Sequence, residues 1–315
     1  MSLSTPVAFF IFNRPQLTQT VFDVIAQARP RKLLVVADGP RFPEEAARCQ
    51  QARDVVLAAN WDCEVLTEFS PVNLGCKRRV SSGLDWVFKL EPEAIILEDD
   101  CLPHLTFLRF CEELLAVYRD DDRIMMISGD NYHGCGQKMK YSYYFSRYTH
   151  IWGWATWRRA WRFFDPDMRL WPEIRDHGWL EKLYDNATEA EYRRLCFQRT
   201  YSGAIDTWDY AWSLACLIQG GLVIRPSKNL VSNIGSGPGA THTRHAPATA
   251  GFPRSAMTFP LQHPPFVLRD ARLDSTEARR LLSISLRARI TARRLRIAIR
   301  RLAENARRAG SPQNA

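Results

Sequence analysis

The chain has 315 residues, 46% apolar and 24% charged, which is ordinary for a globular protein and ample for a large buried core. No apolar run approaches the roughly 18 residues of a membrane span, the first residues lack a signal-peptide pattern, and eight scattered cysteines without a C-x-x-C pair argue against a zinc site and fit a reduced, cytoplasmic setting. The formal charge of +9 equals the excess of residues 277–308, eleven arginines against two glutamates, so the body is neutral and a nucleic-acid reading of the high pI has no support there.

Pro6 to Phe12 is an apolar run of β-type residues, stopped by Asn13-Arg14-Pro15. Leu17, Val21, Val24 and Ile25 at helical spacing predict the next helix. A second strand over 32–37 ends in the turn Asp38-Gly39-Pro40, a helix is expected from Pro43 to Ala58, and a weaker strand over 62–67 follows. Lys77-Arg78-Arg79 opens a helix carrying Val80, Leu84, Val87 and Phe88. Residues 94–97 form a fourth apolar strand that runs into Glu98-Asp99-Asp100. Four strand–helix alternations in the first hundred residues predict a Rossmann-like parallel sheet wrapped by helices.

A helix over 103–118 and a strand over 123–128 continue the pattern, and a strand over 141–146 is expected to join antiparallel, making the sheet mixed. Ile151-Trp152-Gly153-Trp154 then reads either as core packing or as a loop offering an aromatic platform for a sugar ring. Helices are expected at 156–164, 189–201 and 207–219, with Asp206 or Thr207 capping the last and Asp209 in its first turn, before a strand over 222–224. A glycine-rich loop follows, holding His242, and residues 246–274 read as an irregular connector. Leu281, Ala288, Leu295 and Leu302 recur every seven residues with arginines opposite, so 275–308 is expected to be a basic amphipathic helix. Such a helix suits an anionic membrane surface or a partner helix, on the inner face of the membrane.

In a doubly wound sheet, ligands bind at the carboxyl ends of the strands. Arg14, Asp38, Lys77 to Arg79 and Glu98 to Asp100 all fall at that edge. Adjacent carboxylates repel unless a cation compensates, so the acidic run suits a divalent ion, Mg²⁺ or Mn²⁺, on a diphosphate. The bland readings are that Asp38-Gly39-Pro40 is only a turn, that Arg78 and Arg79 lie on a solvated helix face, and that the acids open a helix.

The ordered set Phe12 to Pro15, Ala37 to Gly39, Ile96 to Leu102, Ile127 to Asn131, Ile151 to Trp154, Thr207 to Asp209 and Asn233 to His242 resembles GT-A-fold glycosyltransferases. It is similar to inverting family 2 and more so to the N-acetylglucosaminyltransferase I type. The resemblance covers about residues 5–245 and implies one catalytic domain over 1–245, with a donor half to about 130 and an acceptor half beyond. It implies Asp100 as the metal ligand; Arg14, Asp38, Arg78, Glu98 and Asp99 as donor contacts; Asp209 as catalytic base; and Trp152, Gly153 and Trp154 on the acceptor side. By residue type alone, His242 in the glycine-rich loop is a further candidate ligand, a satisfied loop histidine being the commoner reading. The resemblance implies a UDP-sugar donor, with N-acetylglucosamine favoured, and a glycan or glycoconjugate acceptor. The tail has no counterpart in that family. The competing readings are a sugar-phosphate nucleotidyltransferase and a catalytically silent assembly factor.

Overall fold

A computed structural model of the chain describes residues 2–133, 139–184, 186–235 and 252–282. The first half alternates as β1 (Val7–Ile11), α1 (Pro15–Ala28), β2 (Lys32–Ala37), α2 (Ala46–Leu57), β3 (Glu64–Phe69), α3 (Gly75–Leu90) and β4 (Glu93–Glu98). A short strand β5 (Cys101–Pro103), the helix α4 (Leu105–Val117) and β6 (Ile124–Ser128) follow. The second half holds β7 (Tyr143–Ser146), β8 (Trp154–Trp157), α5 (Arg158–Trp161), α6 (Trp171–Asp176), α7 (Trp179–Leu183), α8 (Ala187–Tyr201), α9 (Asp209–Ile218), β9 (Leu222–Pro226), β10 (Val231–Asn233) and α10 (Ala271–Leu281).

Eight strands form one mixed, mostly parallel sheet in the order β3-β2-β1-β4-β8-β6-β9-β7. The first four run parallel, as the strand–helix alternation predicts. Strands β1, β2 and β4 are apolar almost throughout because both of their faces are covered. One core includes the buried residues Val21 and Ile25 of α1, Val56 of α2 and Phe107 and Leu114 of α4. Another includes Val80, Leu84 and Val87 of α3, Trp161 of α5 and Trp212 of α9. The weak third strand lies two residues later than expected, since parallel pairing matches Lys32 with Glu64, and as an edge strand it is only partly buried.

The largest departure from expectation is β8. It enters antiparallel between β4 and β6, where loop and helix were expected. Trp154 and Trp157 are fully buried in it. Four residues flanked on both faces show no alternation, so tertiary context decides the conformation. α6, α7 and β10 are likewise absent from the sequence reading. β7 pairs antiparallel with β9, as expected.

The described part of the tail does not behave as a detached helix. α10 buries Leu273 and Ala278 and sends two acids into the body. Asp274 accepts from the Ser146 hydroxyl at 2.6 Å and pairs with Arg269. Glu277 pairs with His150 and lies 3.3 Å from the fully buried Arg225, which also sits 3.3 Å from Asp130. His150 Nδ1 meets Asp130 at 2.7 Å. Burial and Arg225 press the His150 pKa down, but Asp130 and Glu277 outweigh them and hold it above its ordinary value. Burial works against the Glu277 charge, yet Arg225 and His150 keep that carboxyl well below the usual range. The expected connector therefore ends at Asp270, which caps α10, rather than at 274. Residues from 283 onward, which carry most of the basic segment, lie outside the described residues. No helix among those described is long and apolar enough to cross a membrane.

Removing one member of a sealed charge cluster strands the others. Glu277→Ala should cost about 3–5 kcal/mol, whereas the exposed Arg272→Ala should stay within about 0.5 kcal/mol. Equilibrium urea denaturation reads both. Glu277's folded pKa lies below its unfolded value near 4.5 and His150's above 6.5, so the cluster's contribution is complete between those pH values. It should decline as pH rises through the raised His150 value. Equal losses for Glu277→Ala and Arg272→Ala would refute the account.

Candidate functional site

β4 ends beside β1, with Phe10 paired to Glu98 and the Asp99 amide donating to Phe10 O at 2.9 Å. The three acids are thus held at the carboxyl edge by sheet pairing. They face a cavity of about 430 Å³, which Arg14, Asp38, Asn73, Arg79, Trp152 and Asp209 also line. Of the site residues expected from sequence, Arg14, Asp38, Glu98, Asp99, Asp100, Trp152 and Asp209 come together here.

Arg14 is the resident cation. Its guanidinium forks Asp99 and reaches Asp100 Oδ2 at 2.9 Å. The Phe12 amide adds a hydrogen bond to Asp99 Oδ2 at 3.2 Å. Burial opposes the Arg14 charge, but Asp99 and Asp100 outweigh it and raise its pKa. One arginine does not balance the run. Burial, then Asp100 and Asp99, push the half-buried Glu98 up to about 8. Burial raises Asp99 to about 6 against the pull of Arg14. Gly235 crosses closely over Asp100, where a Cβ would collide with the carboxylate.

The donor set is all carboxylate, which fits a hard divalent cation. Among the described residues, no group of three or more His, Cys, Asp and Glu side chains could hold a metal ion. An ion completed by a substrate diphosphate needs only one or two carboxylates, and Asp100, half-buried at the mouth of the run, suits that role. His242 lies outside the described residues.

Asp38 departs from the nucleotide contact that the resemblance implies. It is buried, and its oxygens accept from Gly39 N, Leu74 N, Gly75 N and Asn73 Nδ2 at 2.9 to 3.2 Å. A carboxylate has about four acceptor positions, so the chain fills them. Asp38 ties the end of β2 to the start of α3 and shapes the cavity as a strut. Arg78 departs further: it is exposed and absent from the cavity wall. Two residues before the inward Val80 is about 200° around a helix, the opposite face. Arg79 is the arginine that enters, and its phase beside Val80 and Leu84 is the signal that sequence reasoning passed over. Asn73 and Thr207 were missed for want of any pattern.

Trp154 is also corrected. It is a sheet residue with no exposure and cannot meet a ligand as a platform. It stacks on Trp208 with centroids 5.4 Å apart and planes 23° from parallel. That stack fixes the start of α9. Trp208 takes the cap position without a side-chain bond, so the expected Asp206 or Thr207 cap is not formed. Thr207 instead donates its hydroxyl to Asp209 Oδ1, and the Asp206 carboxylate lies over Gly75. Gly153 adopts φ 63°, the left-handed turn that lets Trp152 face the cavity while Trp154 enters the sheet. Trp152 packs edge-on to Tyr132 at 5.6 Å, beside the His150 cluster.

No protein-family model matches the chain, and no curated protein matches it. Among solved structures, it is similar to a UDP-glucose pyrophosphorylase complexed with UDP-glucose, with a TM-score of 0.37 and 7% identity over 71% of this chain and 90% of that one. A likeness that slight carries no argument about activity.

Glu98 gives this site a stability signature. Its folded pKa lies above the unfolded value of 4.5, so its presence destabilises the protein as pH rises from 4.5 to about 8. Glu98→Gln should raise the melting temperature of the ligand-free protein in chelator, by about 0.5–2 kcal/mol of stability at pH 8. Near pH 4 the gain should vanish. A variant less stable than wild type at pH 8 would contradict the crowded-acid description.

Proposed function

We propose that the protein is an inverting glycosyltransferase that moves a sugar from a nucleotide-sugar, UDP-linked, to a hydroxyl of a glycan or glycoconjugate. One observation carries the reading: Arg14, the acids ending β4, Trp152 and, from the far half of the chain, Asp209 line a single cavity. Asp209 is the base. It takes the proton of the acceptor hydroxyl while that oxygen bonds to the anomeric carbon and the bond to the diphosphate breaks on the opposite face. The Thr207 hydroxyl fixes the Asp209 carboxylate plane. Arg14 meets the negative charge of the departing diphosphate.

Asp100 is the residue that would hold Mn²⁺ or Mg²⁺, and an ion there supplies charge neutralisation for the diphosphate. Glu98 and Asp99 face the donor sugar and ribose, and Trp152 faces the acceptor. N-acetylglucosamine as the transferred sugar rests on resemblance of motifs alone. Docking of the basic segment on an anionic membrane surface rests on the sequence. Against a nucleotidyltransferase, β1 runs through Phe12-Asn13-Arg14 directly into α1 at Pro15, with no glycine to cradle a triphosphate.

General-base loss costs on the order of 10²–10⁴ in rate. Asp209→Asn should slow transfer from a UDP-sugar by about that factor, with UDP affinity near wild type by calorimetry. Asp206→Asn should transfer normally. Asp100→Ala should imitate chelation by weakening UDP binding in the presence of Mn²⁺. UTP formation from UDP-sugar and pyrophosphate would favour the nucleotidyltransferase, and inertness toward every donor would favour a silent assembly factor.

A further inference from the structure

A second cavity, of about 200 Å³, lies between α10, the loop after β7 and the start of α8. It is smaller than the roughly 300 Å³ at which sites for whole drug-sized molecules begin, so it suits one small group. Three arginines, Arg147, Arg269 and Arg279, line it against one acid, Glu189. The acid already has partners. Glu189 is buried, accepts from the Tyr148 hydroxyl and is drawn to Arg193, whose guanidinium packs over the Tyr148 ring at 4.8 Å. Arg269 is half-buried and donates its Nε–H to Asp274 at 2.5 Å. Among the described residues, no hydrogen bond takes its two terminal nitrogens. Asn186, also in the lining, caps α8 with its Oδ1, which accepts from Thr188 N at 2.8 Å and Glu189 N at 3.3 Å. Its Nδ2 has no partner among the described residues, and the positive end of a 15-residue helix begins beside it.

We infer that this cavity is a site for a phosphate group, which accepts from the Arg269 fork and Asn186 Nδ2 while Arg147 and Arg279 add positive charge. The planar guanidinium matches phosphate oxygens in pairs, and three arginines from three segments suit an anion with several oxygens and up to two charges. A carboxylate offers two oxygens and one charge. The inference stands apart from the glycosyltransferase reading, because the two cavities share no lining residue. Two sources carry this chemistry, a soluble phosphate ester and the headgroup of an anionic lipid. Leu183, whose carbonyl accepts from Arg147, and Leu268, next to Arg269 in sequence, are exposed apolar neighbours that suit the headgroup.

The test has two arms, both with the full chain in chelator at constant ionic strength. In the first, glycerol 3-phosphate, inorganic phosphate and acetate are titrated calorimetrically. In the second, the protein is mixed with phosphatidylcholine vesicles with and without phosphatidylglycerol. Arg269→Gln and Arg279→Gln are compared with Arg272→Gln, which removes the same charge from α10 outside the cavity. A hydrogen bond to a charged group sets the scale, so the cavity variants should weaken phosphate binding about 10- to 100-fold, with Arg272→Gln near wild type. For a soluble ester the loss appears in the first arm and the vesicles treat all variants alike. For a headgroup, binding to phosphatidylglycerol vesicles falls further in the cavity variants than in Arg272→Gln. Either pattern supports the site. Arg279 is exposed, so Arg279→Gln decides should Arg269→Gln fail to give a cooperative melt. Binding that treats all three variants alike in both arms would overturn the inference, as would phosphate esters and anionic vesicles that bind no better than acetate and neutral ones.

Discussion

Repulsion among carboxylates that cannot move apart governs this molecule. Glu98, Asp99 and Asp100 are consecutive, and the pairing of β4 with β1 fixes where they emerge. The chain answers with Arg14, supplied by the loop between β1 and α1, and with the Phe12 amide. That answer is incomplete, since Glu98 is still pushed up to about 8 by burial and by its neighbours.

The second half of the chain exists to bring other groups to that edge. β8 splits the sheet between β4 and β6, and its Trp154 carries Trp208 on its face. Through that stack the position of Asp209 is tied to the strand beside the acids. Gly153 separates two adjacent aromatic roles, one facing the cavity and one in the core. Beyond them, Tyr132 links Trp152 to His150, and His150 links the wall to α10.

The parallel half was legible because its signal is redundant. Apolar strands buried on both faces, helices with a clear inward stripe and charged residues at strand ends all agree about β1 to β4. The gathering of Arg14 and the acids followed from topology, and Asp209 was placed beside them by the family resemblance. What could not be read was set by partners remote in sequence. β8 has no period of its own, and Asp38 became a strut because a loop some 35 residues later filled its oxygens. Arg78 and Arg79 differ only by helical phase, which was available. The burial of Glu277 was not, since the partners of α10 lie at 130, 150 and 225.

That last cluster constrains how the protein can change over generations. Asp130, His150, Arg225 and Glu277 are enclosed together, so substituting any one leaves a charge facing its former partner in a medium that cannot solvate it. Replacing the set jointly with apolar residues is often neutral or better. The routes between the two states pass through unstable intermediates. A lineage of this protein is therefore expected to keep all four or none, and α10 stays joined to the body of the fold for reasons unconnected to the cavity.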